Sequence, residues 1–273
     1  MSDGATAYES VDGLDIRLDG SVLRCAFDRP RTRNSVDHPM ILALTRAFEA
    51  ASVDEQVRVI VLTGNGGDFC AGADLVALNA PTAPRPRVGS IQRRLPVQAH
   101  RLITLMLTIQ TPVVVAVEGW AAGVGFHFAL AADFCLATES ARFWEPFLQR
   151  GFTPDSAGAW LLPRVAGVAL ARELLLLGRE LSGTEAAEYR LIHRAVKDDQ
   201  LVPATEALVE ELAASATVAL GLAKWLMFTG ASVPFDQHLA NEAFALELSS
   251  RSEDFREGLA AFREKRSPDF RGR

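Results

Sequence analysis

The chain has 273 residues, with 28 Lys or Arg against 34 Asp or Glu, so its net charge is −6. Hydrophobic residues make up 49% and charged residues 23%, the balance of a globular protein whose core needs no disulfide or metal to hold it. The acidic balance argues against nucleic-acid binding, which requires a basic face. The length permits one large α/β domain or two small ones.

Cysteine usage and apolar stretches bear on the compartment. The three cysteines, Cys25, Cys70 and Cys135, have no CxxC spacing, which excludes a disulfide framework and a zinc ribbon and indicates a reducing environment. The first residues carry no apolar signal core. The longest mostly apolar stretch, 121–137, is too short and too polar to span a bilayer. We therefore predict a cytoplasmic protein that does not enter membranes.

The N-terminal half alternates predicted strands and helices. Residues 22–27 form an apolar run that predicts a strand, and helical spacing over 40–51 predicts a helix with Asp37 as its N-cap. The β-branched run at 57–62 and the continuous apolar run at 113–117 are typical of strands buried on both faces. This alternation predicts an α/β fold with a largely buried sheet.

The pattern changes after the second strand. Prolines and arginines interrupt it between Asn79 and Gln98, which predicts a flexible loop leading into a helix that ends near Gln110. A solvated connection is the favoured interpretation, and a basic lid near an anionic ligand is the alternative. Beyond Pro163 the apolar spacing predicts mostly helix, at 168–177, 184–189, 199–228 and in an amphipathic tail from 253.

Several common motifs are absent. Two glycine pairs begin like a dinucleotide fingerprint, but Phe69 and Phe128 occupy the places of the third glycine. The chain has no GK[ST] phosphate loop and no GxSxG nucleophile elbow. Its five histidines are scattered without HExxH spacing, so we predict no metal site.

Two glycine-bearing turns follow predicted strands. Residues 69–75, FCAGADL, follow the strand at 57–62, and residues 118–125, EGWAAGVG, follow the strand at 113–117. Strand-to-helix turns of small residues at neighbouring strand ends can aim backbone N–H groups into one space, beside a helix N-terminus. Such a pair of donors is what an oxyanion hole requires. Tight packing is the alternative role for the small residues.

These turns carry a family resemblance, together with Arg29-Pro30…Arg33-Asn34 before them and the segment LPRVAG at 162–167 after them. The chain from about Val22 to its C-terminus resembles the crotonase (enoyl-CoA hydratase/isomerase) superfamily. The resemblance implies a spiral of stacked ββα units over 1–200 and a helical trimerisation region over 201–273. It also implies homotrimers or hexamers, an acyl-CoA thioester substrate and no permanently bound cofactor, since coenzyme A arrives as part of the substrate.

The resemblance also implies site residues. The N–H groups of Ala71 and Val124 would form the oxyanion hole. Arg29 and Arg31 are candidates to contact CoA phosphates, with a solvated turn as the alternative. Phe262 and Lys265 would close over a neighbouring subunit's CoA, with a solvated amphipathic helix as the alternative. The remaining predicted substrate and CoA contacts are Gly72, Ala73, Asp74, Leu75, Trp120, Gly123, Phe147 and Pro154.

The match fails at the catalytic glutamates of hydratases. One of them lies three residues after the second oxyanion-hole donor, where this chain has His127. The other follows the proline of a Pro-Glu pair, and here the pair is Pro146-Phe147. Hydratases of the family use this glutamate pair to activate water and to relay a proton. Ordinary hydration is therefore not the predicted reaction.

Another carboxylate lies at a position that some relatives use for catalysis. Asp155, in GFTPDSAG, stands where typical hydratases have glycine and where certain isomerases and an aryl-CoA dehalogenase have a catalytic aspartate. We predict a catalytic Asp155, with helix capping as the alternative. Nearby Phe147, Phe152 and Trp160 would desolvate the carboxylate and make it a stronger base.

His127 has two interpretations. It is either a core histidine bonded to a backbone carbonyl or a second acid/base that faces the thioester. Glu145 is predicted to point away from the ligand and to be structural. Three functions follow: an isomerase that uses Asp155, a hydratase or hydrolase that uses His127 with water, and a non-catalytic acyl-CoA binder. The carboxylate inventory favours the isomerase.

Overall fold

The computed structural model describes residues 8–75, 80 and 87–273. Within them, a sheet in the order β1-β2-β3-β4-β6-β9 forms the centre of the fold. Strands β1 and β2 are antiparallel, and all later neighbours in this sheet are parallel. The strands are β1 Leu14–Asp19, β2 Val22–Phe27, β3 Val59–Gly64, β4 Val113–Val117, β6 Phe134–Thr138 and β9 Arg194–Val196.

A smaller sheet lies beside the C-terminal ends of these strands. It has the order β5-β7-β8, with β5 Trp120–Ala122, β7 Arg142–Trp144 and β8 Leu181–Ser182. β5 begins three residues after β4 ends, so the chain passes from one sheet to the other through the second glycine turn. The succession of ββα units and the helical C-terminal region confirm the predicted α/β fold.

The helices surround the two sheets. In chain order they are α1 His38–Ala51, α2 Ser90–Arg94, α3 Ala99–Thr108, α4 Val124–Ala131, α5 Gly158–Leu177, α6 Gly183–Glu188, α7 Leu201–Ala213, α8 Thr217–Gly230, α9 Phe235–Ser249 and α10 Glu253–Glu264. Every residue of α4 is buried, because this helix runs through the core. Its N-terminus is thereby held in place beside the first glycine turn.

Both faces of the central sheet are covered. One face packs with α1, α3 and α4 into the larger apolar cluster. The other face is covered by α7, whose Leu201, Val209 and Leu212 pack against Val59 and Val114. The parallel strands therefore read as continuous apolar runs. The trimerisation role of 201–273 stays a prediction, and its first helix also contributes to the core.

Several local predictions are confirmed or corrected. Asp37 accepts a hydrogen bond from the Met40 N–H at 3.1 Å, as predicted for the cap of α1. The predicted strand at 57–62 lies at 59–64. The predicted helix at 168–177 begins earlier, at Gly158, and kinks at Gly167, where φ is +76°.

The predicted loop over 79–98 is only partly described. Residues 76–79 and 81–86 lie outside the described residues, so the lid interpretation is untested there. From Ser90 the chain is helical, in α2 and a 3-10 turn at Leu95–Val97, so the loop prediction is wrong for this part. The following helix ends at Thr108. Among the described residues, no single helix is long and apolar enough to cross a membrane.

Candidate active site

The two glycine turns are joined directly, as their positions after neighbouring strands predict. The Cys70 N–H donates to the Trp120 carbonyl at 2.8 Å, and the Ala122 N–H donates to the Cys70 carbonyl at 2.9 Å. Gly72 has φ +97°, and a Cβ there would lie 2.9 Å from the Ala122 carbonyl oxygen. Glycine is required at this position because the two backbones approach so closely. Ala73 follows Gly72 and Val124 lies two residues after Ala122, so the backbones of these two residues begin close to each other.

The donor predicted from the first turn is wrong. The Ala71 N–H donates to the Arg33 carbonyl at 2.9 Å, so a hydrogen bond to the segment before α1 already occupies this N–H. The Ala73 N–H makes no such bond among the described residues. Both neighbours of Ala73 bond to Val36: the Val36 N–H donates to the Gly72 carbonyl, and the Asp74 N–H donates to the Val36 carbonyl. In this parallel pairing the N–H of the residue between them, Ala73, points away from Val36.

The donor predicted from the second turn is geometrically suitable. Val124 is the first residue of α4, and first-turn N–H groups have no acceptor within their own helix. The positive end of the helix dipole lies at the same place. Gly123 precedes it with φ +53°, and a Cβ on Gly123 would lie 3.5 Å from the Phe147 ring. Val124 and Ala73 are thus the N–H groups available to a carbonyl oxygen between the turns.

Arg29 is tied into the protein. Its guanidinium contacts Asp37 and Asp74, each at 3.2 Å, and also donates to the Ser35 carbonyl at 3.3 Å. Two carboxylates already match its charge, which argues against the predicted CoA-phosphate contact. It instead links the first glycine turn to the start of α1. Arg31 is exposed on the adjacent turn, and its phosphate contact stays a prediction.

Asp155 does not cap a helix. Helix α5 starts at Gly158, and its N-cap is Ala157, which makes no side-chain capping bond. The capping alternative is therefore wrong. The Asp155 side chain is half-buried, and its Oδ1 accepts from the Ser156 hydroxyl at 3.1 Å. Its Oδ2 makes no hydrogen bond to any described residue.

His127 lies in the interior of the protein. Its side chain is 0% exposed, its Nδ1 is 2.7 Å from the Ser156 Oγ, and its Nε2 is 2.9 Å from the Glu145 Oε1. The core interpretation is correct, but the partners are side chains rather than a backbone carbonyl. Glu145 points inward to this ring and forms a buried pair with it, and its predicted structural role stays a prediction.

Phe147 fills the place of a hydratase glutamate. Its ring stacks on His127 with centroids 5.6 Å apart and meets Phe152 edge-on at 5.3 Å. The Phe147 ring covers one face of the imidazole and lies next to Gly123. Pro154 is half-buried and immediately precedes Asp155.

Two cavities meet at His100, a residue that no sequence motif selects. The larger, of about 700 Å³, is lined by apolar side chains of the α2 region, including Val88, Ile91 and Leu95. The smaller, of about 320 Å³, lies between α3, α5 and α8 and is lined by Ile103, Leu107, Ala157, Trp160 and Phe228. His100 Nε2 also lies 2.6 Å from the Asp155 carbonyl oxygen. Asp155 therefore adjoins the apolar space.

The other predicted contacts are spread around this centre. Trp120 is half-buried in the smaller sheet, with the Arg33 guanidinium 5.7 Å from its ring centroid. Leu75 donates its N–H to the Ala73 carbonyl at 2.7 Å. Phe262 and Lys265 are both exposed at the end of α10. Their predicted CoA contacts stay predictions.

The three cysteines are buried in the folded protein. Cys70 lies in the first glycine turn, but it is fully buried, as are Cys25 and Cys135. Burial raises the pKa of the Cys25 and Cys70 thiols to about 12. Since the thiolate is the reactive form, burial disfavours reaction at these thiols.

Comparisons with known proteins agree with this architecture. The family model for enoyl-CoA hydratase/isomerase matches residues 17–273. The 1,2-epoxyphenylacetyl-CoA isomerase of Escherichia coli (strain K12) is 37% identical over 257 residues, which cover 94% of this chain and 97% of the relative. The carnitinyl-CoA dehydratase of Salmonella enteritidis PT4 is 32% identical, covering 96% of this chain and 99% of the relative.

Solved structures give the same result. The crystal structure of an enoyl-CoA hydratase from Bacillus anthracis matches with a TM-score of 0.88 and 29% identity, covering 96% of this chain and 100% of that chain. The chain belongs to the enoyl-CoA hydratase/isomerase family, as the sequence resemblance implies. Members of this family are enzymes that act on CoA thioesters, and the relatives' names include isomerase, dehydratase and hydratase.

Proposed function

We propose that this protein is an acyl-CoA isomerase in which Asp155 moves a proton between carbons of the bound acyl group. The observation that carries the proposal is the carboxylate inventory beside α4. Asp155 is half-buried, with Oδ2 unbonded among the described residues, whereas the two hydratase positions hold His127 and Phe147. Loss of solvent-deuterium exchange into a bound acyl-CoA in the Asp155→Asn variant tests it.

The reaction requires stabilisation of an enolate. Asp155 Oδ2 takes a proton from the α-carbon, and the electron pair of that C–H bond moves toward the thioester oxygen. The N–H groups of Val124 and Ala73 donate to this oxygen as its negative charge grows. The electron pair then returns as the carboxyl group delivers the proton to the γ-carbon, so the double bond moves with no other reactant.

The cavities favour an apolar acyl group. The spaces on either side of His100 are lined mainly by aliphatic and aromatic side chains, with Trp160 and Phe228 forming one wall. The ring centroids of these two residues are 6.4 Å apart. A chain or ring placed there would leave the thioester at the α4 N-terminus and its α-carbon near Asp155.

Hydration by His127 is the weaker alternative. A hydratase would need His127 to hold water against the substrate, but both of its ring nitrogens are engaged by Ser156 and Glu145. The ring is also covered by Phe147. A non-catalytic acyl-CoA binder is the remaining candidate, and no observation of the site favours it over the isomerase.

We expect the protein to bind CoA thioesters more tightly than the matching free acids. The N–H groups of Val124 and Ala73 recognise the thioester carbonyl, whereas an ionised acid would place a charge next to Asp155. Calorimetric titration with an acyl-CoA and its free acid measures the difference. Equal affinity for both ligands would contradict the proposed oxyanion hole.

Assembly into trimers or hexamers is the second expectation. Phe235 is 76% exposed, Phe262 is 83% exposed and Phe244 is also exposed, which exceeds what a monomer surface normally carries. Phe228, which precedes them on α8, is half-buried against Trp160. Light scattering at micromolar concentration should give the mass of three or six chains, and a monomer would refute this. The cytoplasmic location stays a prediction.

A further inference from the structure

A chain of buried polar side chains lies behind Asp155. Ser156 Oγ is 3.1 Å from Asp155 Oδ1 and 2.7 Å from His127 Nδ1, and His127 Nε2 is 2.9 Å from Glu145 Oε1. His127, Ser156 and Glu145 are all at most 1% exposed. Polar groups at this depth cost free energy unless they are paired, so a connected set of them needs an explanation.

The hydrogen-bond inventory gives the chain a direction. A serine hydroxyl has one hydrogen, and the Ser156 hydroxyl donates it to Asp155 Oδ1. Its contact with His127 must then run the other way, from an Nδ1–H to the Ser156 Oγ. One further hydrogen lies between His127 Nε2 and Glu145 Oε1. The Ser156 hydroxyl and the His127 Nδ1–H therefore both point toward Asp155, and the contact between His127 and Glu145 lies at the far end of the chain.

The backbone is shaped around this chain. Ala157 has a left-handed conformation, with φ +72°, which is unusual for a residue with a Cβ. A Cβ on Gly158 would lie 2.1 Å from His127 Nε2, so only glycine lets the start of α5 approach the ring. The Phe147 ring stacks on the imidazole and covers one of its faces.

Glu145 adds an independent indication. Its Oε2 is buried and has no hydrogen-bond partner among the described residues. A buried carboxylate oxygen without a donor destabilises the folded state. Glu145 is therefore not explained as a source of stability. Among the described residues, the Glu145 side chain bonds only the His127 ring. Glu145 therefore acts on the orientation of this ring, which belongs to the chain that ends at Asp155.

We propose that Ser156, His127 and Glu145 are positioning residues that hold Asp155 through its Oδ1 and so direct its Oδ2 toward the substrate. This inference rests on the proposed role of Asp155 as the proton carrier. The hydroxyl of Ser156 restricts rotation of the carboxyl group, which is otherwise broad about the Cβ–Cγ bond. The rigid His127–Glu145 pair in turn fixes that hydroxyl.

The same residues do not form a nucleophilic triad. Ser156, His127 and Glu145 have the residue types of one, but a nucleophile must reach the thioester carbon. Ser156 is 1% exposed, and its hydroxyl hydrogen is given to Asp155 rather than to the imidazole. His100 also contacts Asp155, but its Nε2 bonds the main-chain carbonyl of Asp155 and not the carboxylate.

The experiment compares Ser156→Ala, Ser156→Thr and Asp155→Asn, alone and with Ser156→Ala and Asp155→Asn combined. The probe is a trans-3-enoyl-CoA of six carbons, and the readouts are kcat and KM for its isomerisation and the rate of solvent-deuterium incorporation. We expect Ser156→Ala to lower kcat about tenfold to a hundredfold with KM little changed, because the carboxyl group loses its orientation. Ser156→Thr, which keeps the hydroxyl, should restore most of kcat.

The combined variant separates positioning from general damage. If Ser156 acts through Asp155, adding Ser156→Ala to Asp155→Asn should produce no further loss, since effects within one unit are not additive. Ser35→Ala is the matched control, because Ser35 is a buried serine whose hydroxyl is outside this chain, and it should keep the wild-type kcat.

The possible failures are distinct. If Ser156→Ala keeps the wild-type kcat while Asp155→Asn is inactive, the positioning inference is wrong and the proposed function stands. A full additional loss in the combined variant also overturns the inference. If Asp155→Asn keeps the wild-type rate, or the wild type turns over no enoyl-CoA, the proposed function fails and the inference with it.

Discussion

Replacing Asp155 by asparagine is expected to lower solvent-deuterium incorporation into a bound enoyl-CoA by about 10²–10⁴-fold, the usual contribution of a positioned acid or base. Asparagine has nearly the same shape and keeps an oxygen for the Ser156 hydroxyl, but it cannot accept a proton at neutral pH. Affinity for the thioester should change little, because Val124 and Ala73 still hold the carbonyl oxygen. Mass spectrometry of the recovered thioester, with calorimetry for affinity, measures both quantities.

Asp199→Asn provides the control, since Asp199 is an exposed aspartate away from the cavities. Its exchange rate should equal that of the wild type. Full exchange in Asp155→Asn would mean that another group carries the proton, and the isomerase proposal would fail. If the wild type itself exchanges no proton with any thioester, a non-catalytic acyl-CoA binder becomes the better account.

The largest expected effect on stability is at Lys224. Its Nζ lies 2.6 Å from Asp133 Oδ2 and donates to the carbonyls of Met106 and Thr111 at 2.9 and 3.3 Å. Burial lowers the pKa of Lys224 and raises that of Asp133, while their mutual attraction opposes both shifts. Replacing Lys224 by methionine removes this attraction and leaves Asp133 uncompensated.

We expect Lys224→Met to lower the free energy of unfolding by about 3–5 kcal/mol, as is usual when one partner of a buried ion pair is removed. Urea titration followed by circular dichroism measures the change. Lys197→Met, at an exposed lysine, should change stability by at most about 0.5 kcal/mol. Adding Asp133→Asn to Lys224→Met should recover part of the loss. An unaltered unfolding midpoint in Lys224→Met would contradict this account.

The same pair affects the proposed substrate cavity. Lys224 anchors α8 to the junction between α3 and β4, and Phe228 lies one turn later on α8, in the wall of the smaller cavity. Loss of the anchor should therefore displace that wall as well as lower stability. A raised KM for an enoyl-CoA in Lys224→Met, at a temperature where the variant is folded, is the corresponding kinetic result.

Much of the architecture was predictable because local patterns determine it. Continuous β-branched runs mark strands buried on both faces, as at 113–117, and Asp37 before Pro39 marks a helix start. Short strands were harder to detect. β7 and β8, of three and two residues, are too short to show a period, and only pairing defines them, β7 with β5 and β8 with β7.

The loop prediction failed from Ser90 onward for a related reason. Prolines and arginines there indicate a loop by composition, yet the described part is helical from Ser90. Pro96 lies within a 3-10 turn, a place where a missing backbone N–H costs little. Helix α2 buries none of its residues, so it carries no apolar period that would reveal it in the sequence.

The sequence by itself determined the family, the two glycine turns at the proposed oxyanion hole, the absence of the hydratase glutamates and the choice of Asp155 as the candidate base. Each of these is a residue type at a spacing, which can be read without coordinates. The tertiary structure alone decided how those residues are used. The Ala71 N–H donates to the carbonyl of Arg33, 38 residues earlier in the chain. The Ala73 N–H makes no main-chain hydrogen bond among the described residues. The tertiary structure also turns His127 inward between Glu145 and Ser156. Hydrogen-bond partners that are distant in the chain decide which donor is free and which carboxylate is held, and no local pattern encodes that pairing.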